Sequence, residues 1–391
     1  CRGRLASDGC YRNAVSAIAV VGLDRQIHLA RAGGLKQLSM DVGADPLLRW
    51  GRPDIPRSAW SWPSFSPDQD KLACIELPAG EDLADPARVQ VLHADGLRQQ
   101  VLFESHGRVP IYCSWSPAGT HIAVLLQDEE ELSLTLLSLD GSAPRELDAG
   151  GPLFFSWSDQ EVLVHAGSSG PKRVVLHRLA DEDMLLDGNP GAFCVPIALG
   201  GYLWHVQRQG GLEHLVRTGP DGQTETLRSV QGLVALVPDG DSLLLGHAPD
   251  GAGSPYQKIY RIDLRSGLSS QLTDQPCLAF YALPTRGEIA TVSIDTPRNC
   301  LAWHTIDSGG VTRERAAFWP SREFLWSLQF FEQFALSHPP VDPRGERLVF
   351  AGHRPGADPH RSPSQVFVPD LDSGGPARSL CSGSFACFPS V

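Results

Sequence analysis

The side chains of this chain that could do chemistry are few and do not cluster in the sequence. His338 precedes two prolines in one of several stretches that share a pattern, and the matching stretches carry serines at this place: Ser64, Ser114 and Ser156. A histidine there could bind a metal ion or act as a base. Such a site needs further histidines or carboxylates that converge on it, so a hydrogen-bonded structural histidine is favoured over a ligand.

Motifs for nucleotide, acyl-transfer and thiol chemistry are missing from the sequence. There is no G-x-S-x-G nucleophile elbow, no P-loop and no dinucleotide fingerprint. The nine cysteines are scattered and none belongs to a C-x-x-C pair, which gives no support to a zinc or thioredoxin-type site. Several lie in apolar, strand-like stretches and are interpreted as buried free thiols. We therefore predict no catalytic residue, no cofactor and no metal ligand.

The first residue, Cys1, is a candidate lipidation site. A mature bacterial lipoprotein begins with a lipidated cysteine, and residues 1–13 resemble a short tether before the first strand. The alternative is a chain whose true start lies further upstream. We expect an exported, membrane-anchored protein of the bacterial envelope in preference to a cytoplasmic one.

Composition places the chain among ordinary globular proteins. Its 391 residues are 42% hydrophobic and 20% charged, with a formal net charge of −12. An acidic protein is not expected to bind nucleic acid, whose phosphate backbone attracts basic side chains. No apolar run approaches the roughly 18 residues that a transmembrane helix requires. Glycine and proline are frequent and evenly spread, which predicts many turns.

A pattern recurs along the chain at intervals of about 40 to 60 residues. An aromatic residue and Ser-Pro are followed by a polar turn and a strand, as in 62–77 and 111–127, and 153–167 repeats this without the proline. Weaker copies begin near 193, 233, 280 and 336. Asp-Gly and Ser-Gly turns join two further strands in each unit, as in 89–103. Each unit therefore predicts four antiparallel strands, A to D.

Units of this kind predict an all-β fold, a single β-propeller of four-stranded antiparallel blades over 14–391. Residues 384–391 resemble an A strand that no B strand follows, whereas 14–45 supply strands B, C and D without an A strand. We expect these two segments to form one composite blade that closes the ring and leaves no sheet edge open. The count is eight blades, or seven if the weak copy at 191–230 is not a separate blade.

Three stretches, "SFSPDQDKLA", "SWSPAGTHIA" and "YRIDLRSGLSSQLTD", resemble the WD40-like (PD40) repeat of TolB-type β-propellers. That repeat typically has W-S-P-D-G-x-x-I-A-F, followed by D-x-x-[SG]-G and R-x-L-T. The resemblance covers essentially the whole chain and implies the fold, but β-propellers host many unrelated activities. TolB-type proteins carry an additional N-terminal α/β domain, for which this sequence has no room, so a TolB-specific role is not implied.

Residues 321–337 interrupt the repeat with an aromatic insert. Their apolar positions recur at helical spacing and Ser321 can serve as N-cap, which favours a helix, or an extended hairpin, packed on the propeller's own face. The alternative is a docking element for a membrane surface or a partner groove. Phe331 is expected to pack internally and the segment around 324–326 to be partly exposed. The candidate docking residues are Phe324, Leu325, Trp326, Phe331 and Phe334.

Function is expected to depend on binding rather than catalysis. A strands line the central channel of a β-propeller, which makes His338 a channel candidate. A channel-site enzyme, such as a metal-assisted lyase or a glycan-active propeller, should show His, Asp or Glu on several A strands, and the sequence shows almost none. We therefore expect a non-catalytic scaffold that meets protein partners through one face, as a lipid-anchored subunit of a bacterial envelope or membrane complex. The channel-site enzyme is the alternative.

Overall fold

The computed structural model describes residues 16–390, with gaps at 33, 40–57, 79–84, 130, 168–171, 250–255, 360 and 373–374. Cys1 and the predicted tether 1–13 lie outside the described residues. Within the described ranges, no helix is both long enough and apolar enough to cross a bilayer.

Antiparallel β-strands dominate the described part of the chain and form six four-stranded sheets and one seven-stranded sheet there. Sheet 1 contains β1 (Ile18–Val21), β2 (Ile27–Arg31), β3 (Gly34–Gln37) and β31 (Phe385–Cys387). Sheet 2 contains β4 (Ser58–Phe65), β5 (Lys71–Pro78), β6 (Ala87–His93) and β7 (Gln99–Ser105). Sheet 3 contains β8 (Val109–Trp115), β9 (His121–Gln127), β10 (Leu132–Ser138) and β11 (Arg145–Gly150).

The second half of the chain continues the same arrangement. Sheet 4 contains β12 (Leu153–Ser158), β13 (Glu161–Ala166), β14 (Arg173–His177) and β15 (Met184–Asp187). Sheet 5 contains β16 (Ile197–Leu199), β17 (Tyr202–Gln209), β18 (Leu212–Thr218) and β19 (Thr224–Val230). Sheet 6 contains β20 (Val234–Asp239), β21 (Ser242–His247), β22 (Lys258–Asp263) and β23 (Ser269–Thr273). Sheet 7 contains β24 (Ala279–Leu283), β25 (Glu288–Asp295), β26 (Cys300–Ile306), β27 (Thr312–Pro320), β28 (Phe350–His353), β29 (Gln365–Val368) and β30 (Arg378–Ser382).

Serine side chains stabilise the Ser-Pro turns that join the first two strands of a sheet. Ser116 Oγ accepts hydrogen bonds from the backbone N–H groups of Thr120 at 3.2 Å and His121 at 3.0 Å. Gly119 in this turn has φ of +67°, a conformation that favours glycine. In sheet 2, Ser66 Oγ accepts from the backbone N–H of Lys71 at 3.0 Å. These bonds explain why the repeated motif places serine before the turn.

The two ends of the described chain meet in sheet 1. Strand β31 pairs antiparallel with β1, with Ala19 opposite Cys387 and Val21 opposite Phe385. The first strands of successive sheets also lie next to one another, with β31 in this place in sheet 1, since β4 contacts both β31 and β8 and β16 contacts both β12 and β20. The predicted association of 14–45 with 384–391 is therefore present as a strand pairing.

Sheet 7 is longer than the others because β27 continues into a pairing with β28, with Pro320 opposite Gly352. The last weak copy of the repeat is expected to begin near residue 336, but that position is helical. An isolated bridge between Val341 and Leu348 is the first strand-like contact of this unit. Helix α2 continues to Ser337 because the apolar pattern of the insert runs into the start of the weak copy.

Two short helices occupy the predicted aromatic insert. Helix α1 (Arg322–Gln329) begins at the predicted N-cap, where Ser321 accepts a hydrogen bond from the backbone N–H of Phe324. Helix α2 (Phe331–Ser337) follows after a break at Phe330, whose backbone has φ −122° and ψ 33°. The helical prediction is confirmed, and α2 is buried at most of its positions whereas α1 is buried at fewer than half.

The core consists of apolar strand faces. Trp60, Trp204 and Trp303 are among the largest side chains that are almost completely buried. The seven cysteines in the described ranges form no disulfide bond, and all but Cys381 are buried. This agrees with their interpretation as small apolar core residues.

Candidate binding site

Helix α2 is surrounded by the first strands of several sheets. It lies against β8, β12, β20 and β24, and it is hydrogen-bonded to β4 as well. Ser64 Oγ on β4 donates to the carbonyl of Ser337 at 3.3 Å, and the Tyr112 hydroxyl on β8 donates to the carbonyl of Gln333 at 2.9 Å. The helix thus fills the space that these strands enclose.

The side chain of Gln333 fixes α2 to sheet 4. Its Oε1 accepts from the backbone N–H of Phe155 at 2.9 Å, and its Nε2 donates to the carbonyl of the same residue at 2.7 Å. The amide therefore takes the place of a pairing strand beside β12. A buried amide whose hydrogen bonds are satisfied favours one packing arrangement over others. Gln333 therefore sets the rotation of α2 about its own axis relative to β12.

Glu332 is the buried carboxyl of this region, with only 7% of its surface exposed. Its Oε2 accepts from the backbone N–H of Val195 at 3.0 Å, and its Oε1 accepts from the Tyr256 hydroxyl at 3.1 Å. Burial raises the pKa of Glu332 to about 8, although both hydrogen bonds favour the ionised form. Within the described ranges no Lys or Arg contributes to this pKa. Whether Glu332 is ionised near neutral pH therefore depends on the charge of the group next to its carboxyl.

His338 lies at the C-terminal end of α2 and is buried. Its Nε2 donates to the carbonyl of Trp62 at 3.1 Å, and its Nδ1 accepts from the Ser337 hydroxyl at 2.7 Å. Burial lowers the pKa of His338 to about 4, so the ring is neutral at ordinary pH. Both ring nitrogens are used in fixing α2. In the part of the chain that the structure describes, no group of three or more His, Cys, Asp and Glu side chains is arranged to hold a metal ion.

An apolar cavity of about 800 Å³ lies at one end of α2, and we call it the bowl. Its walls come from α1, α2 and the neighbouring sheets, and they include the side chains of Phe154, Phe193, Leu325, Trp326, Phe330 and Phe334. Its polar groups include Glu332 and Gln333. The bowl has the size and the mainly apolar lining that are typical of ligand-binding pockets.

The candidate docking residues divide into two groups. Phe324, Phe331 and Phe334 are buried, whereas Leu325 and Trp326 are 44% and 43% exposed at the edge of the bowl. The rings of Tyr256 and Phe280 lie 5.1 and 5.2 Å from that of Phe331, so this residue packs internally as expected. The partial exposure expected around 324–326 is found at two of its three residues.

A smaller cavity of about 340 Å³ lies at the opposite end of α2. The three serines that occupy matching places in the repeats, Ser64, Ser114 and Ser156, all line it. The structure therefore brings these serines together, on the other side of the helix from the bowl. The helix separates a small, partly polar cavity from a large apolar one.

Sequence reasoning missed Glu332 and Gln333. The insert was interpreted through its apolar positions, and the two polar residues between Phe331 and Phe334 were passed over. Adjacent Glu and Gln in an otherwise apolar helix are a signal for buried hydrogen bonds, because such groups are not buried without partners. Their partners, such as Tyr256, come from distant repeats and were not identifiable from spacing.

No protein family matches the sequence, and no curated protein matches it. A structure from an analysis of two prolyl endopeptidases is similar with a TM-score of 0.58 at 12% identity, over 86% of this chain and 51% of that one. The β-propeller domain of the trilobed protease from Pyrococcus furiosus is similar with a TM-score of 0.50 at 12% identity, over 84% and 99%. TolB from Acinetobacter baumannii has a TM-score of 0.40 at 15% identity, over 76% and 63%, which is too low to support an argument.

At these identities the similarity shows the fold alone. The chain has the β-propeller fold, as the repeats and the resemblance to TolB-type propellers predicted. It spans about half the length of the prolyl endopeptidase chain that it matches.

Proposed function

We propose that this β-propeller is a non-catalytic binding and scaffold protein whose bowl receives an apolar segment of a protein partner. The observation that carries the proposal is the bowl, at whose edge Leu325 and Trp326 remain partly exposed. Large apolar cavities are the preferred sites of ligand and segment binding. Tryptophan is enriched among the residues that contribute most to the binding energy of protein interfaces.

The proposed scaffold is an eight-bladed ring that β31 closes. The pairing of β31 with β1 supports closure, and the separate sheet formed by β16–β19 supports counting the weak repeat as a blade. Sheet 7 divides into β24–β27 and a last unit that starts at the bridge between Val341 and Leu348. A closed ring protects its strand edges, which suits a rigid support for the bowl.

The alternative, a channel-site enzyme, has less support. An enzyme site needs polar groups that converge on a space open to substrate, and α2 occupies the space between the first strands. His338 uses both ring nitrogens in hydrogen bonds that fix this helix. The arrangement favours binding at the end of the helix over chemistry in the channel.

The proposed location is the bacterial envelope, with Cys1 as the anchor. If Cys1 is acylated, the intact mass of the native protein should exceed the sequence mass by that of the acyl groups. Cys1→Ser in the precursor should then move the protein to the soluble fraction. An unmodified Cys1 would remove the anchoring and leave the proposed binding function standing.

A double variant at the edge of the bowl tests the binding function. Leu325→Glu with Trp326→Glu places two charges at partly exposed positions, so the fold should survive and the thermal midpoint should change by about 2 °C at most. The stoichiometric complex that co-purifies from the native source should be lost. Leu268→Glu is the control, because Leu268 is highly exposed and does not belong to the lining of the bowl.

A site-specific crosslink tests where the partner lies. A photo-reactive amino acid at Gln329, which is exposed and lines the bowl, should join the partner in the purified complex. The same group at Leu268 should not. A complex that survives the double variant, or a crosslink at Leu268 and not at Gln329, would contradict the proposal.

A further inference from the structure

We infer that the occupant of the bowl carries a cationic group, such as the side chain of Lys or Arg, that binds to the carboxylate of Glu332. The inference rests on the proposed function and specifies the chemistry of the segment that docks. It is argued from the geometry of the carboxylate, from the aromatic walls and from the charge at the edge of the bowl.

The carboxylate of Glu332 has acceptor capacity that the described residues do not use. An ionised carboxylate can accept about four hydrogen bonds, and the structure provides two, one from the backbone of Val195 and one from Tyr256. Both donors are neutral, and none of the described ion pairs includes this carboxylate. A buried carboxyl without a cationic partner is kept neutral by its surroundings, and a cation placed beside it favours the ionised form. Because Glu332 lines the bowl, such a cation can approach from there.

Aromatic rings line the bowl together with Glu332. Phe154 and Phe193 have ring centroids 4.7 Å apart, and Trp326 and Phe330 have ring centroids 5.1 Å apart. Both pairs belong to the walls of the bowl. Aromatic faces attract an ammonium or guanidinium group while they pack against its apolar stem. The bowl therefore suits a group that is apolar along its length and cationic at its tip.

The charge at the edge of the bowl has the complementary sign. The turn between β9 and β10 contains Asp128, Glu129 and Glu131, and its two flanking residues, Gln127 and Leu132, line the bowl. The whole chain has a formal net charge of −12. Acidic groups at the edge of a cleft raise the local concentration of cations and the rate of their association.

The charge state of Glu332 makes the inference testable by pH. Without a cation the pKa is about 8, so binding of a cation at pH 7 must release a proton. Among the described residues, the titratable groups that face Glu332 are Tyr256 and Cys194, and burial raises the pKa of both well above their ordinary values. They stay neutral between pH 7 and 9, so a proton released in this range comes from Glu332.

The test uses the full chain and three probes that share an eight-carbon tail: octylammonium, octanol and octanoate. Binding is measured by calorimetry at pH 7 and pH 9, in two buffers of different ionisation enthalpy. We expect octylammonium to bind about tenfold more tightly than octanol at pH 9, and octanoate to bind most weakly. At pH 7 octylammonium binding should release a proton, whereas octanol binding should not.

Two sets of variants locate the effect. Glu332→Gln should abolish the preference for octylammonium over octanol, whereas Glu323→Gln on α1 should retain it. If Glu332→Gln does not fold, the exposed Gln329 provides a second test, because Gln329→Lys should weaken octylammonium binding and Gln329→Glu should strengthen it, each by about two- to threefold. Octanol binding should change little in either Gln329 variant.

The outcomes separate the inference from the proposed function. Equal affinities for octylammonium and octanol, or a preference that survives Glu332→Gln, would overturn the inference while the bowl would remain an apolar site. Failure of all three probes to bind would overturn both.

Discussion

Replacing Phe331 by alanine should destabilise the propeller far more than replacing Trp326, although both lie in the same aromatic insert. Phe331 is 2% exposed and its ring packs against those of Tyr256 and Phe280. Removal of a buried phenylalanine costs about 3–5 kcal/mol, because apolar contact is lost and a cavity remains. Trp326 is 43% exposed and packs against Phe330, so its removal should cost about 1 kcal/mol.

These energies convert into different thermal midpoints. For 391 residues the entropy of unfolding is about 0.8 kcal/mol/K. Phe331→Ala should therefore lower the midpoint by about 4–6 °C, and Trp326→Ala by about 1 °C. Scanning calorimetry measures the shift, and urea unfolding at 25 °C gives an independent order for the two variants. Equal shifts, or a larger shift for Trp326→Ala, would refute the assignment of Phe331 as an internal residue and Trp326 as a partly exposed one.

Three further predictions concern closure and pH. Deletion of Ser384–Val391 should expose the edge of β1 and cause aggregation or loss of cooperative melting; a shortened protein that melts like the full chain would contradict closure. Burial disfavours charge on His177, but its hydrogen bonds with Asp148 and Asp183 outweigh this and raise its pKa, so its stabilisation should be complete below about pH 6.5 and be lost as the pH rises through the raised value; urea unfolding between pH 5 and 9 should show this loss, and His177→Gln should remove it. The folded pKa of about 8 for Glu332 lies above its ordinary value of 4.5, so the free energy of unfolding should fall between these pH values by up to about 5 kcal/mol; Glu332→Gln should flatten that dependence, and an unchanged slope would place the titration elsewhere.

Local chemistry made much of the fold predictable from the sequence. Serine before a Ser-Pro turn, as at Ser116, satisfies backbone N–H groups within a few residues, so the motif signals its turn wherever it occurs. The N-cap at Ser321 was predictable for the same reason, because its bond reaches only to Phe324. The pairing of β31 with β1 was predictable because each terminal segment is an incomplete unit that the other completes.

The environment of the insert was not predictable in the same way. An apolar helix has the same sequence periodicity whether it packs on the outside of a propeller or is surrounded by its strands. The surroundings of the helix depend on contacts between residues that are distant in the sequence. The hydrogen bonds of Gln333 with Phe155 and Tyr112 join residues from different repeats. Glu332 and the bowl depend on the same tertiary arrangement, so the binding site emerged only from the structure.

The position of α2 in the chain also constrains the order in which the protein can assemble. The partners of the helix are made long before it, since Ser64 precedes Ser337 by 273 residues and Tyr112 precedes Gln333 by 221. Before α2 is synthesised, the first strands of the early sheets lack the hydrogen-bond partners that the helix provides. Strand β1 lacks its pairing partner until β31 is synthesised. Contacts this distant in sequence slow folding, and the incomplete sheets expose apolar surface in the meantime. The helix that supports the bowl therefore also makes the nascent propeller dependent on late events, because α2 and then β31 are synthesised after most of the strands they contact.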